Sequence, residues 1–218
     1  MKRRLISLFA PLALVLTAAV AAAEPQTFRI DAGHSTVGFS IRHFFSRVSG
    51  RFKEFSGNIQ YDDKNLAASS VEVTIQTASI DTGNEKRDGD LRGAGFFHAD
   101  SLPTITFKST KVVPGPEKSF LIYGDLNMHG VTKPVTLEAT LLGIGQVGMG
   151  GRGARTMAGF EAKTTLDRKE YGIVWNRTLD QGGTMLGDDV TITLAMEAAV
   201  MDPNAARPAG APATPEKK

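Results

Sequence analysis

The sequence predicts an all-β protein, specifically a closed antiparallel β-barrel of about eight strands with one short helical insertion. Apolar and polar residues alternate in many successive segments, and this period of two is typical of strands with one dry and one wet face. A helical pattern occurs only between residues 79 and 97. Because closure removes the exposed edges of a sheet, a barrel is the economical architecture for so many strands.

The alternating segments can be followed in order along the chain. In the first, Val37 to Phe45, the odd positions are apolar except for His43. Residues 48–61 supply one or two further strands. The remaining strands are predicted at Val71–Ile75, Thr104–Lys108, Phe120–Leu126, Val135–Leu141, Ala158–Leu166 and Val190–Ala198. Their apolar phase should face the barrel interior, because the opposite phase carries charges such as Arg42, Glu72, Lys108, Glu138 and Glu161.

The helical insertion lies between two strand segments. Asn84 can cap a short helix over residues 85–92, and Glu85 then lies near its positive end. Charged residues crowd this insertion: Asp81, Arg87, Asp88, Asp90 and Arg92. We interpret them as charge pairs that hold the insertion at the barrel rim, and acid–base catalysis by paired carboxylates is the alternative.

A glycine-rich segment between Gly143 and Gly153 contains a formal match to the dinucleotide fingerprint G-x-G-x-x-G, from Gly143 to Gly148. That fingerprint needs a helix after the glycines, so that a pyrophosphate can lie at the helix N-terminus. An alternating strand segment follows instead. The glycines are therefore predicted to form a flexible hairpin loop that binds no dinucleotide, with Arg152 and Arg155 as solvated charges.

The two ends of the chain have the character of processing and tail segments. Lys2, Arg3 and Arg4 precede an apolar run, and Ala21–Ala23 offers a signal peptidase site, so residues 1–23 are predicted to be a cleaved signal peptide. Residues 24–200 are predicted to form a single domain. Residues 201–218 are rich in proline and alanine and are predicted to be disordered.

Charge and cysteine content restrict the cellular location and the partners. Cleavage would remove three of the 25 basic residues and none of the 23 acidic ones, which leaves a formal charge of −1. This balance gives no electrostatic basis for binding nucleic acid. An exported chain without cysteine is more typical of the bacterial periplasm than of a eukaryotic secreted protein. The predicted location is the periplasm.

No pattern of metal-binding or nucleophilic residues appears. The four histidines, His34, His43, His98 and His129, lack metal-site spacing, and there is no nucleophile elbow. His34, His98 and His129 lie beside turn signals and should donate hydrogen bonds to the backbone. His43 falls on the inward phase of its strand, where it is either a hydrogen-bonded core residue or the polar group of a pocket. We predict no catalytic residue, no metal and no cofactor.

Several segments in order resemble the YceI-like polyisoprenoid-binding family. They include "FRIDAGHSTVGFSIRHFFSRVSGRFKEFSGNI", "ASIDTGNEKRDGDLRGAGFFHAD", "PTITFKST" and "GDLNMHGVTKPVTLEATL". "GFEAKTTLDRKEYGI" resembles the later strand pair of that family. The resemblance covers roughly residues 27–200. It implies an extended lipocalin-like barrel, usually periplasmic, that holds a long isoprenoid chain in its lumen.

The function implied by this resemblance is a periplasmic carrier, not an enzyme, for an isoprenoid quinone or polyprenyl lipid. Transient membrane contact and homodimer formation are compatible with such a carrier. The residues expected to contact the ligand share the inward phase of the predicted strands: Val37, Phe39, Ile41, His43, Val73, Ile75, Ile105, Phe107, Phe120, Ile122, Val135, Leu137 and Phe160.

Two alternatives belong to other functional classes. An enzyme could act on a lipid or small apolar substrate inside the barrel through His43 or a rim carboxylate such as Asp88. A scaffold could instead fill its lumen with its own large side chains and bind nothing. The free volume of the lumen distinguishes the scaffold from the other two.

Overall fold

The computed structural model describes residues 25–149 and 152–201. The predicted cleavage after Ala23 and the predicted disorder of residues 202–218 lie outside the described residues. Across those two described ranges, no helix has both the length and the apolar character needed to cross a membrane.

Eleven strands and one α-helix make up the described chain. The strands are β1 (Gln26–Ile30), β2 (Thr36–His43), β3 (Ser46–Phe52), β4 (Phe55–Tyr61), β5 (Ser70–Gln76), β6 (Ile80–Asp81), β7 (Thr104–Pro114), β8 (Ser119–Met128), β9 (Val131–Met149), β10 (Arg152–Asp167) and β11 (Leu186–Val200). The helix α1 spans Glu85–Arg92, and short 3-10 helices occupy Leu66–Ala68, Thr77–Ser79 and Arg168–Tyr171.

Eight of these strands close into an antiparallel barrel, as the alternation predicted. The order around the ring is β1-β4-β5-β7-β8-β9-β10-β11, and β11 returns to β1 through the pairs Phe28–Val200 and Ile30–Ala198. The charged outer phase is exposed: Arg42, Glu72, Lys108, Glu138 and Glu161 all face solvent. Because the sheet is closed, the side chains of the inner phase point to the interior of the barrel. These apolar side chains line a lumen.

The three remaining strands extend the barrel wall in one direction. β11 pairs with β1 through residues 198–200 and with β2 through residues 186–195. β3 then pairs with β2, in the same way as β4 pairs with β1. The short strand β6 continues β5 along β3. Residues 48–61 therefore supply two strands rather than one. The barrel is therefore elongated. We call the end whose wall is formed by β2, β3 and β6 the lower end, and the opposite end the upper end.

The predicted helix is confirmed at residues 85–92. The Asn84 side-chain oxygen accepts a 3.0 Å hydrogen bond from the Arg87 backbone N–H, which makes Asn84 the N-cap. Arg92 lies in the last turn, where a cation is favoured by the helix dipole. The helix lies at the lower end of the barrel, after β6.

Two-residue turns join neighbouring strands at the lower end. His129 and Gly130 both have positive φ, of 52° and 75°, which matches the type I′ turn favoured in hairpins. Phe44 (φ 50°) and Phe45 join β2 to β3. The prediction that the first strand continues inward to Phe45 is wrong, because the chain reverses after His43 and leaves the Phe45 side chain fully exposed.

The prediction of a flexible loop at residues 143–153 is also wrong. β9 runs to Met149 and β10 begins at Arg152, with cross-strand pairs such as Gly145–Met157 and Val147–Arg155. The backbone N–H and C=O groups of glycine form the same cross-strand hydrogen bonds as those of other residues. The two strands therefore extend beyond the barrel as a two-stranded ribbon. A strand does follow the glycines, as predicted.

A candidate ligand-binding lumen

The barrel encloses an apolar cavity between β1, β4, β5 and β7–β11, with residues of β2 and β3 at one end, which we call the upper tunnel. It contains about 170 Å³ of free volume, more than ten times the roughly 10–15 Å³ that one water requires. Its walls are almost entirely aliphatic and aromatic. They include Val37, Phe39, Val73, Ile75, Ile105, Phe107, Phe120, Ile122, Leu126, Val135, Leu137, Phe160, Leu194 and Met196.

A wider cavity, the lower chamber, lies between β2, β3, α1 and the segment that follows β10. It contains about 720 Å³, within the range of small-molecule sites. Apolar residues again dominate its wall, but several polar groups join them. The polar side chains at its wall belong to His43, Thr82, Arg87, Asp90 and Arg168.

The upper tunnel and the lower chamber adjoin one another. Five residues line both cavities and together form what we call the neck: Phe39, Phe52, Met128, Leu166 and Ile192. The Phe39 and Phe52 rings contact each other, with centroids 5.8 Å apart. The lumen thus changes from a narrow apolar tunnel to a wide chamber with polar groups, and the interpretation of a lumen filled by its own side chains is wrong.

All thirteen residues expected on the inward phase line one of the two cavities. Eleven of them line the upper tunnel, and one of these eleven, Phe39, also lies at the neck. The other two, Ile41 and His43, line the lower chamber. Alternation also marks tunnel residues that the ligand prediction left out: Leu126, Leu166, Ile192, Leu194 and Met196. Phe96, Phe97 and Trp175 were not predicted, because they come from segments without a strand period.

Two glycines allow phenylalanine rings to lie flat against the lumen wall. A Cβ at Gly50 would lie 2.5 Å from the Phe39 ring, and a Cβ at Gly124 would lie 2.5 Å from the Phe107 ring. Such distances do not occur between real atoms, so only glycine permits these ring positions. The rings cover the glycines instead of projecting to the barrel axis, which preserves free volume in the lumen.

Arg168 is a buried cation at the edge of the lower chamber. Its Nε donates to the Gly187 carbonyl oxygen, and its Nη1 donates to the carbonyl oxygens of Ile173 and Trp175 at 2.6 and 2.9 Å. Asp188 lies 3.4 Å from its Nη2. Burial lowers the pKa of the Arg168 guanidinium from its usual range, although Asp188 and Asp167 oppose this shift. The guanidinium therefore fixes the loop that carries Trp175.

The Trp175 ring closes one side of the lower chamber. It packs on Phe96, with ring centroids 5.1 Å apart. This contact joins the loop after β10 to the segment after α1. The aromatic pair stands at the mouth of the chamber, where Trp175 remains partly exposed.

The charges of the helical insertion are arranged differently from the prediction. Asp88 is buried and accepts hydrogen bonds from the backbone N–H and the hydroxyl of Thr82, while Arg87 donates to the Thr82 hydroxyl and carbonyl oxygens. Hydrogen bonds to Thr82, rather than charge pairs between these two residues, hold the helix. The Asp88 carboxylate faces Thr82, and Asp88 is not among the residues that line the two cavities.

Asp81 is the residue of this group that does form ion pairs. Its carboxylate lies 3.9 Å from Arg51 and 3.7 Å from Lys53. The backbone N–H of Gly83 and these two cations hold the pKa of the Asp81 carboxyl below its usual value. These contacts connect β6 to the outside of β3.

The four histidines occupy unrelated places. His129 bonds the Tyr171 carbonyl oxygen through Nδ1 at 2.9 Å, so its partner is a backbone group as predicted, but one 42 residues away rather than a local one. His98 and His34 bond the side chains of Ser101 and Asp31 rather than the backbone. His43 is half-buried in the wall of the lower chamber, with its ring edge against Phe44.

One histidine belongs to a group that could hold a cation. Ligand atoms of Asp31, His34 and Glu197 lie within 4.8 Å of one another at the surface between β1 and β2. The hydrogen bond to Asp31 raises the pKa of the His34 imidazole, and the protonated ring forms an ion pair with Asp31. Exposed groups of this kind are common without a metal, and Asp31, His34 and Glu197 are not among the residues that line the upper tunnel or the lower chamber.

Known proteins share both the sequence and the fold. Residues 28–198 match the family model described as a YceI-like domain. The protein YceI of Shigella flexneri is 42% identical over 177 residues, which cover 79% of this chain and 88% of that protein.

Solved structures with this fold include BcnA of Burkholderia cenocepacia. It has a TM-score of 0.68 at 23% identity, covering 78% of this chain and 99% of that one. A polyisoprenoid-binding domain from Saccharophagus degradans has a TM-score of 0.56 at 15% identity, covering 82% of this chain and all of that domain.

Proposed function

Because this chain belongs to the YceI-like domain family, we propose that it is a periplasmic carrier that holds a long polyisoprenoid, an isoprenoid quinone or polyprenyl lipid, in its lumen. The observation that carries the proposal is the apolar tunnel that adjoins a wider chamber through the neck. A thin hydrocarbon tail matches the tunnel, and a larger polar head matches the chamber. The structural neighbour that binds polyisoprenoid supports the same ligand class.

Apolar burial is sufficient to bind such a ligand. Each buried methylene contributes about 0.8 kcal/mol, so an isoprene unit contributes at most about 4 kcal/mol. Association costs about 4–15 kcal/mol, and micromolar affinity needs about 8 kcal/mol net. About four to six well-buried isoprene units therefore suffice, and the affinity needs no charged anchor.

The lower chamber then orients the ligand. Arg87 already donates to Thr82 through Nε and Nη2, and its Nη1 has no hydrogen-bond partner within residues 25–149 and 152–201. With Thr82 and His43, it supplies polar groups at the chamber wall for a quinone carbonyl or a phosphate. The tail would lie in the upper tunnel, whose surface is almost entirely apolar.

Binding rather than catalysis is part of the proposal, and so is independence from a metal or cofactor. Of the two residues considered for an enzyme, Asp88 faces Thr82, and His43 lies in the chamber wall beside Phe44. Turnover of an added lipid that His43→Ala abolishes would contradict the carrier. Homodimer formation stays a prediction, which sedimentation of the lipid-free and loaded protein would measure.

The test begins with the lipid that the protein carries. The chain is produced with its own N-terminal segment in a bacterial host, recovered from the periplasm, and its bound lipid is identified by mass spectrometry. The lipid-free protein is then titrated with an isoprenoid quinone in detergent. Trp175 is the sole tryptophan and lies at the chamber wall, so quenching of its fluorescence reports occupancy.

A pair of variants on one strand separates filling of the lumen from a change of the surface. Val73→Phe adds bulk inside the upper tunnel, whereas Glu72→Phe adds the same side chain on the outer face of β5. We expect Val73→Phe to lose bound lipid and Glu72→Phe to retain it. A wild-type protein that carries no polyisoprenoid, or equal binding by both variants, would contradict the proposal.

A further inference from the structure

Four exposed aromatic and aliphatic side chains lie together at the mouth of the lower chamber. Phe45 is fully exposed, Val174 is 62% exposed, and Phe44 and Trp175 are each about two-fifths exposed. They belong to two segments that meet at the same edge of the barrel. We call this surface, made by residues 42–45, 174–177 and 184–186, the mouth rim.

Hydrogen bonds connect these segments into one surface. The Phe44 backbone N–H donates to the Met185 carbonyl oxygen at 2.8 Å, and the Met185 N–H donates to the Arg177 carbonyl oxygen at 2.9 Å. Arg42 donates from Nη1 to the carbonyl oxygens of Phe44 and Thr184. The exposed aromatics are therefore held beside the chamber, and they are not isolated apolar residues on a mobile tail.

The turn at Phe44 and Phe45 is costly in a protein that meets only water. Phe44 has a φ of 50°, a conformation that is unfavourable for a bulky residue and usually taken by Gly or Asn in two-residue hairpins. The adjacent Phe45 leaves its whole ring in solvent. Strain and apolar exposure at one tip point to a role for that tip.

The charged side chains that the β2–β3 hairpin places beside this tip are positive. Arg42 and Arg47 lie directly opposite each other across the β2–β3 hairpin, an arrangement of like charges that is unfavourable by itself. Within residues 25–149 and 152–201, neither forms an ion pair with a carboxylate, and Arg177 adds a further exposed cation. Acidic groups also lie nearby: Asp180 in the neighbouring turn, and Asp188, a carboxyl whose pKa is lowered by the hydrogen bond from Lys169 and, to a smaller extent, by Arg168 and Arg42.

We infer that the mouth rim docks on an anionic membrane surface, so that ligand passes between the bilayer and the lower chamber. Exposed Phe and Trp beside Arg are the residues that partition into the interface of anionic bilayers. Each cation near such a surface adds to the attraction. The transfer of ligand rests on the proposed function, since a polyisoprenoid must leave a bilayer without crossing water. The docking itself does not require a ligand.

Vesicle binding by the lipid-free mature chain tests the docking. Flotation is measured with vesicles of phosphatidylethanolamine and phosphatidylglycerol and with vesicles of phosphatidylcholine alone. We expect stronger binding to the anionic vesicles, weakened about tenfold or more by Phe45→Ser and about fivefold by Arg47→Gln. The matched control is Leu142→Ser, which removes a 55% exposed side chain from the ribbon of β9 and β10 at the other end of the barrel.

The outcomes separate this inference from the proposed function. Equal flotation of the wild type and Phe45→Ser, an equal loss with Leu142→Ser, or no preference for anionic vesicles would overturn the docking. So would a photo-crosslinker at position 45 that yields a discrete protein adduct in cells instead of lipid adducts. Quinone binding in detergent, which Phe45→Ser should leave unchanged, shows separately whether the lumen binds isoprenoid.

Discussion

Arg168 holds Trp175 in position through a 2.9 Å hydrogen bond from Nη1 to the Trp175 carbonyl oxygen. The same nitrogen bonds the Ile173 carbonyl oxygen, and Nε bonds that of Gly187. One buried side chain therefore satisfies two backbone acceptors in the loop that carries Trp175 and a third at the start of β11. The hydrogen bond from Arg168 holds the Trp175 backbone in place, and the Trp175 ring can therefore pack on Phe96.

Replacing Arg168 by methionine should destabilise the protein strongly. Three carbonyl oxygens would lose their donors, and each buried unpaired polar group costs about 1–3 kcal/mol, so we expect a loss of about 3 kcal/mol or more in the free energy of unfolding. Equilibrium urea denaturation measures it. Lys169→Met is the control, because Lys169 makes an exposed ion pair with Asp188 and should cost less than about 1 kcal/mol. Similar losses in both variants would show that the Arg168 hydrogen bonds do not hold this loop.

Adding a methyl group at Gly124 should displace the Phe107 ring. The new Cβ would lie 2.5 Å from that ring and 2.6 Å from the Lys108 carbonyl oxygen, so both must move. We expect Gly124→Ala to lower the free energy of unfolding by about 1–3 kcal/mol. In Gly143→Ala, the added methyl meets nothing within 4 Å, and stability should be unchanged or slightly raised. Equal stability of the two variants, measured by thermal denaturation, would mean that the Phe107 ring does not pack against Gly124.

A carboxylate added to the lumen wall should have different effects in the two cavities. Ile41 is half-buried in the wall of the lower chamber, where an aspartate can remain hydrated, so Ile41→Asp should keep a near-native melting temperature and lose bound lipid. Phe107 is buried in the upper tunnel, and Phe107→Asp should cost several kcal/mol because its charge has no partner. Melting temperature and retained lipid are measured together. If both variants unfold and the native protein carries no lipid, the carrier proposal fails.

The ion pair between His34 and Asp31 should be visible in a titration of the His34 ring. The hydrogen bond to Asp31 raises the pKa of the His34 imidazole above its ordinary value of 6.5. A raised folded-state pKa adds stability that is fully present below the unfolded value and is lost as pH rises through the folded value. NMR titration should give a pKa above 6.5 that falls in Asp31→Asn. A titration that is identical in the two proteins would contradict this pairing.

The sequence by itself determined the parts of the fold that depend on residue pattern. Alternation in segments such as Val71–Ile75 and Val190–Ala198 predicted strands with one apolar face, because burial of one face requires this period. Asn84 predicted the start of the helix, because its side chain can accept a hydrogen bond from the first turn of any helix that follows. The same patterns placed all thirteen candidate ligand contacts on the inner wall.

Only the tertiary structure decided the shape of the lumen and the character of its mouth. Local alternation does not say where a chain reverses, so Phe45 was expected to face inward and is instead fully exposed. Neither does it say which glycine lies under which ring, as Gly124 lies under Phe107, or which carbonyl oxygens Arg168 will meet. These contacts join one strand to another or a loop to a strand, so the residue pattern within a single segment does not record them.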